Sequence, residues 1–412
     1  MLVRLVRSAA FAIALCAAPV AIIVSSGSAH AAAQQAVSAK VGVPLKAALE
    51  LAKVGKFKEA LAKANEAELV EGRTPFDNLK IAEVKVYIYG QLKDYANAAR
   101  SIEQILATGL VTGDQKKSYR KQMVLLYFRG GNNARGVETA KSYIADYGAD
   151  DELLLQIASS SYQSHDYASS ASAAERLVHA AEEAGRRPDE PALNLLIASL
   201  FQLHKLEDYY AAVEKRVAYY PKAEYWRELL EIAPRRSGFN QKYVADLFVL
   251  RFTLHAIAKG DDYVEMAEVS LQQNFPAYAK LALDAAYKDK LIDDGKNGRN
   301  KRLLALAQKR YAEEKITDKD EADARGQATG DSLVRVAAVV ASYGEYPRAI
   351  KLFKEGIAKG GLTAPNETKL RYGVTQIRGG DAHAGIETLK GIKAKDGTGD
   401  LARYWSLHAR QI

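Results

Sequence analysis

A small residue recurs along this 412-residue chain at nearly constant intervals, and this recurrence constrains the fold more than any other feature. It stands after an aromatic or a turn-forming residue in most copies, as in "GKFKEA", "KDYANA", "EDYYAAV" and "GEYPRA". The successive markers are Ala60, Ala98, Gly136, Ala171, Ala212, Ala245, Ala282, Ala349 and Gly385. Their gaps are 38, 38, 35, 41, 33, 37, 67 and 36 residues, and the gap of 67 is close to two periods. A period in this range predicts an array of helical repeats.

One copy, from Asp331 to Ile357, shows what each unit builds. "DSLVRVAAVVASYG" has helical apolar periodicity, a plausible cap at its start and a glycine at its end. "EYPRAIKLFKEGI" then gives a second amphipathic helix. A pair of this size cannot bury its apolar face alone, so we expect neighbouring pairs to stack and form a shared core.

These residues resemble the tetratricopeptide repeat (TPR) family. Ala337, Gly344, Tyr346, Ala349 and Phe353 stand at that family's spacing of small, turn, aromatic, small and large apolar positions. The first copy matches through Ala48, Gly55, Phe57 and Ala60, and the last matches less well through Gly373, Gly380, Ala382, Gly385 and Leu389. The resemblance implies an all-α fold: a right-handed α-α solenoid of nine to ten hairpins over residues 34–412, least regular at 289–328. The final "GDLARYWSLHARQI" is expected to be a C-terminal capping helix.

The composition fits a folded chain. Apolar residues make up 48% and charged residues 26%, which excludes a disordered tail or a membrane bundle. Lysine and arginine outnumber aspartate and glutamate by 58 to 50, a surplus too small on a chain of this length to indicate a nucleic-acid groove.

The first 33 residues have the layout of a secretory signal peptide. Arg4 and Arg7 precede an apolar core, and small residues follow it with cleavage sites near Ala31 or Ala33. We therefore expect a periplasmic protein, with a retained membrane anchor as the alternative. Cys16 is the only cysteine, so cleavage would leave a mature chain without disulfides or thiolate ligands.

The sequence shows no constellation for chemistry. The seven histidines have no zinc-binding spacing, "DDGKNGRNK" lacks the Ser or Thr of a phosphate loop, and no G-x-S-x-G motif occurs. We predict no enzyme activity, catalytic residue, cofactor or metal. A wall-cleaving enzyme built on a helical superhelix is the enzymatic alternative, but the repeats leave no room for its catalytic domain.

Binding residues are predicted by position. Counting from each turn places Lys121, Arg129, Tyr162, Gln163 and Arg378 on the side of the first helices that faces the hollow of the superhelix. The many tyrosines, 23 in all, are interpreted mainly as wedges between helices, with a ligand groove as the alternative. In "KNGRNKR" the cations oppose the helix dipole, so an acidic partner, an anionic lipid head group or a solvated loop would explain them.

Three further stretches, "YYPKAEYWREL", "KGGLTAPNETKLRYG" and "ARYWSLHA", are similar to those of exported repeat proteins encoded beside TonB, ExbB and ExbD. This resemblance implies an accessory role in a TonB-type transport system. The sequence thus predicts a scaffold that binds protein partners of the cell envelope through its concave face, and a membrane-anchored partner is among those expected. A scaffold for assembly or export of cell-surface polysaccharide remains the alternative.

Overall fold

A computed structural model describes residues 36–412, and every regular element in this part of the chain is helical. The predicted signal peptide lies outside these described residues. The chain forms two compact units that divide between Leu177 and Val178. No helix among the described residues has the length and apolar character needed to cross a membrane.

The first unit consists of consecutive antiparallel helix pairs. Its helices are α1 (Ala39–Lys53), α2 (Phe57–Glu68), α3 (Pro75–Gln91), α4 (Tyr95–Ala107), α5 (Gly113–Arg129), α6 (Asn133–Tyr147) and α7 (Asp151–Gln163), and α8 (Tyr167–Glu183) contains the division between the units. Each of α1 to α6 packs against the next helix along the chain. This order of contacts is that of stacked hairpins, as the sequence predicts.

The second unit continues the same pattern with two departures. Its helices are α9 (Glu190–Gln202), α10 (Leu206–Tyr219), α11 (Ala223–Ile232), α12 (Val244–Thr253), α13 (Gly260–Gln272), α14 (Pro276–Lys288), α15 (Arg299–Glu313), α16 (Asp318–Gly326), α17 (Asp331–Ser342), α18 (Tyr346–Lys359), α19 (Pro365–Arg378), α20 (Ala382–Leu389) and α21 (Thr398–Ala409). An eleven-residue connection with two short 3-10 turns, Ala233–Arg235 and Gln241–Tyr243, separates α11 from α12. In the region of least regular sequence, α15 packs on α13 and α14, whereas α16 packs on α17.

Eight hairpins share one turn geometry. Each has a three-residue connection whose middle residue is left-handed: Gly55, Lys93, Gly131, His165, His204, Asn274, Gly344 and Gly380. The amide of the third residue reaches back to the carbonyl five residues earlier, as from Asp94 N to Tyr89 O at 2.9 Å and from Asp166 N to Ser161 O at 2.8 Å. This bond satisfies a carbonyl at the end of the first helix. The third residue then begins the second helix.

The marker residues lie where paired helices approach most closely. Ala60, Ala98, Ala282 and Ala349 are fully buried. At the last marker, a Cβ added to Gly385 would lie 2.8 Å from the carbonyl oxygen of Gly373 on the partner helix. The sequence period therefore reflects helix-to-helix contact distance, and the all-α fold of successive hairpins is confirmed.

Candidate partner-binding surface

In the first unit, one register position of the first helices carries partly exposed apolar side chains. It lies eleven residues before the marker, and in the first three hairpins it holds Leu49, Tyr87 and Leu125, 38 residues apart. We call these three residues the first-helix stripe. Equivalent positions of stacked hairpins form a row, so the stripe is a continuous feature of this unit. Exposed polar residues border it four positions further on: Lys53, Gln91 and Arg129.

The stripe is held by the packing beneath it. The rings of Tyr87 and Phe57 meet edge to face at 6.4 Å, and Leu49 packs against the core of the first two hairpins. The fourth equivalent position, Ser160, is buried. Sequence reasoning missed Leu49 and Leu125, although their constant distance from the marker was a signal that could have found them.

Lys121, a predicted binding residue, forms ion pairs that join α5 to the start of α7. Its Nζ donates to Asp150 Oδ2 at 2.8 Å and lies 3.0 Å from Glu152 Oε2. Burial acts to lower the pKa of Lys121, but these two carboxylates outweigh burial and raise it above its ordinary value. The charge of this lysine is therefore compensated within the first unit.

The other three predicted residues of the first unit are more accessible. The Arg129 guanidinium is exposed and lies 5.6 Å from the centre of the Tyr95 ring. Tyr162 is half-buried, with its ring 5.3 Å from that of Tyr167, and Gln163 is exposed. Contact of these residues with a partner stays a prediction.

Two tyrosines of α5 connect successive hairpins through carboxylates. Tyr119 Oη donates to Glu83 Oε1 at 3.0 Å, and Tyr127 Oη donates to Glu103 Oε1 at 2.5 Å. Burial, reinforced by Glu83, raises the pKa of Tyr119 well above its ordinary value. These hydroxyls donate to partly exposed carboxylates of neighbouring helices, which agrees with the interpretation of the tyrosines as packing residues.

In the second unit, Arg378 lines a small, partly open cavity of about 30 Å³. Its Nη1 donates to Tyr278 Oη at 2.7 Å, and its guanidinium lies 5.3 Å from the ring centres of both Tyr278 and Tyr346. The cavity has room for about one or two water molecules. Arg378 thus contacts side chains of its own unit, and its contact with a partner stays a prediction.

A second arginine of α19, Arg371, lines the same cavity. Arg371 donates through Nε and Nη2 to the two carboxylate oxygens of Asp246 on α12, each at 3.0 Å, and its Nη1 lies 2.7 Å from Glu367. Burial acts to lower the pKa of Arg371, but Asp246 and Glu367 hold it far above its ordinary value. This bidentate pair joins segments 125 residues apart.

The C-terminal helix α21 contributes Trp405 to the lining of this cavity. It packs on α12, α19 and α20, and its Tyr404 and Trp405 are each only 1% exposed. Arg403 pairs with Glu214 of α10 at 3.1 Å, and Asp400 pairs with Arg236 at 2.8 Å. The predicted C-terminal helix is therefore present, and it reaches helices 160 to 190 residues earlier as well as the last hairpin.

In the second unit, these segments cover the stripe position of helix α17. Ala338, at the register position of the stripe, is 6% exposed. Together with Ala341 it lines the cavity that Phe275, Tyr278 and Trp405 also line. The same position is thus open in the first unit and covered in this hairpin. Phe201 of α9, also at that position, is 54% exposed.

Within residues 36–412, no group of three or more His, Cys, Asp or Glu side chains is placed to hold a metal ion. The surfaces described above supply apolar contact, hydrogen bonds and charge, which are the means of noncovalent binding.

No protein-family model matches the chain, and no curated protein is significantly similar to it in sequence. Tetratricopeptide repeat proteins are among its neighbours in the solved structures. One is a tetratricopeptide repeat protein from Parabacteroides merdae, with 13% identity and a TM-score of 0.32 over 66% of this chain and 100% of that one. Another is yeast Tom70, with 11% identity and a TM-score of 0.23 over 90% of this chain and 96% of that one. We base no conclusion on alignments with scores of this size.

Proposed function

We propose that this protein is an interaction scaffold that binds a protein partner along the first-helix stripe of its first unit. The observation that supports this proposal is the contrast at one register position: Leu49, Tyr87 and Leu125 are partly exposed, whereas Ala338 is covered by the chain itself. Large amphipathic or apolar side chains in a row give contact area for an extended segment or helix of a partner.

The polar residues at the edge of the stripe provide contacts that would orient a bound partner. Arg129, at the edge of the stripe, has a guanidinium held over the Tyr95 ring, and among the described residues it forms no ion pair. A cation held in place by an aromatic ring is available to a carboxylate of the partner. We include Arg129, Tyr162 and Gln163 in the proposed surface and assign Lys121 a supporting role through Asp150.

We place the scaffold in the periplasm, as an accessory of a TonB-type transport system. The location rests on the signal-peptide pattern of residues 1–33, and the TonB association rests on the resemblance of three short stretches.

Site-specific photo-crosslinking in cells tests the surface and the partner together. A photoreactive amino acid replaces Leu125 in one variant and Glu138 of α6, a residue exposed away from the stripe, in the control. We expect the Leu125 variant to capture a discrete partner from envelope extracts, and the control to capture none. Mass spectrometry identifies the captured protein.

The outcomes of this experiment test the binding surface, the partner and the location separately. Capture of TonB, ExbB or ExbD supports the accessory role, whereas capture of a polysaccharide synthase or exporter replaces it with the alternative role. Equal capture by both variants would remove the stripe as the binding surface. Recovery of the protein only from the cytoplasm would refute the proposed location.

A further inference from the structure

Helix α15 exposes most of its surface. Of its fifteen residues only Ala307 is buried, and with Leu303 and Leu304 it packs against the core formed by α13 and α14. Arg310 also points to that side, where it donates to Leu271 O at 2.8 Å and Asn274 Oδ1 at 3.0 Å. The opposite side of the helix faces solvent.

The solvent side of α15 carries lysine and arginine around one exposed leucine. Arg302, Leu306 and Lys309 are spaced by four and three residues, which places them on one face of the helix, and Lys301 flanks them. Leu306 is 47% exposed. We call these four residues the α15 basic face.

The cations of this face are not used for internal pairing. Arg299 pairs with Glu268, but among residues 36–412 neither Lys301 nor Lys309 forms an ion pair. From Arg299 to Glu313 the sequence holds five cations and a single carboxylate, Glu313. The face therefore carries uncompensated positive charge.

Helix stability does not account for this charge. The first turn of α15 contains no acidic residue, and its N-cap, Gly298, provides no side-chain hydrogen bond. Arg299, Lys301 and Arg302 thus stand at the end of the helix where cations are unfavourable. The stability of the helix therefore does not require cations at these positions.

We propose that the α15 basic face docks on an anionic phospholipid surface, independently of the partner-binding stripe. Lysine and arginine side chains attract acidic head groups, and their long apolar stems allow a leucine between them to reach the acyl boundary. The exposed loop before the helix extends the pattern, with Lys290, Leu291 (42% exposed) and Lys296. The exposed leucines amid cations favour a lipid surface over an acidic protein segment, which would need cations alone.

Acidic residues in the preceding loop limit which part of the basic face can contact an anionic surface. Asp289, Asp293 and Asp294 lie in the preceding loop. Asp293 Oδ1 accepts a hydrogen bond from Gly295 N, and the Asp294 carbonyl accepts one from Asn300 N. The contact is therefore assigned to the solvent side of α15, from Lys301 near its start to Lys309, and not to these loop carboxylates.

Vesicle co-sedimentation of the full chain tests the proposal. The vesicles contain phosphatidylglycerol mixed with phosphatidylcholine, or phosphatidylcholine alone, and each variant keeps the same N-terminus so that residues 1–35 contribute equally. We expect preferential, salt-sensitive binding to the anionic vesicles. The variant Lys301→Gln/Lys309→Gln should lower that partition coefficient about 25-fold, at about fivefold per lysine. Leu306→Ser should lower it about fivefold.

A matched control removes two other exposed lysines of the same unit. Lys351→Gln/Lys354→Gln on α18 changes the net charge equally and should leave the partition coefficient within about twofold. Equal loss in the two double variants, or no anionic preference in the unmodified protein, would overturn the proposal.

Two further outcomes would assign the face to a different occupant. Binding to soluble polyglutamate without binding to vesicles would indicate an acidic protein segment. A doubled mass in light scattering that Leu306→Ser abolishes would indicate a second copy of the chain. Either result would overturn docking on lipid.

Discussion

At the scale of single residues, Asp77 shows how buried charge joins one hairpin to the next. Its carboxylate is fully buried and accepts hydrogen bonds from Ser38 N at 2.8 Å and from Thr74 N and Oγ1 at 2.9 Å. Thr74 is the N-cap of α3 and Ser38 that of α1, so one side chain satisfies donors at two helix starts. Burial acts to raise the pKa of Asp77, but these hydrogen bonds outweigh burial and lower it below its ordinary value.

Asp77→Asn should destabilise the N-terminal hairpins by about 1–2 kcal/mol, because an amide cannot accept all three bonds. A lowered folded-state pKa means that this contribution is present above the unfolded pKa of about 4 and is lost as pH falls through the folded value. The difference between the two proteins should therefore be full near neutral pH and shrink in acid. Hydrogen exchange of the α1 and α3 amides across pH measures it, and a difference that grows in acid would contradict this assignment.

At the scale of elements, the turn shared by the eight hairpins shows which repeats can be found by a glycine motif and which cannot. Glycine at Gly55, Gly131, Gly344 and Gly380 marks four of the left-handed positions. At the other four, lysine, histidine or asparagine adopts the same conformation, with φ near 55–63°. A motif search based on glycine could not find these, because the shared feature is a backbone conformation that these residues adopt at a cost.

Lys93→Gly should therefore stabilise its hairpin by up to about 1 kcal/mol, since Lys93 is exposed with φ 58°. Gly344→Ala should destabilise its hairpin by about 1–2 kcal/mol, although an added Cβ would meet nothing within 4 Å. Chemical denaturation followed by hydrogen exchange at each turn gives both values. The same sign of change for the two variants would refute a conformational origin.

At the scale of the whole molecule, local periodicity predicted the hairpins but not what covers them. The period of the marker residues correctly indicated the all-α array, because adjacent helices are also adjacent in sequence. The contacts of α21 have no such signature, since Arg403 and Glu214 are 189 residues apart. The sequence places Arg378 on a hollow available to a partner, whereas in the structure it lines a small cavity with Tyr278 and Trp405, and its contact with a partner stays a prediction.

One register position is partly exposed in the first three hairpins, at Leu49, Tyr87 and Leu125, and is covered by the chain in the hairpin of α17 and α18, at Ala338. Thiol accessibility tests this contrast most directly, because Cys16→Ala leaves a chain without cysteine into which single thiols can be placed. A cysteine at Leu125 and a cysteine at Ala338 occupy equivalent positions of α5 and α17.

We measure the rate of maleimide modification of Leu125→Cys and Ala338→Cys, each in native buffer and in denaturant. The expected native rate at Leu125→Cys is at least about tenfold higher, because a buried thiol reacts only when its surroundings open, and the two rates should converge in denaturant. Equal native rates at the two positions would contradict the account.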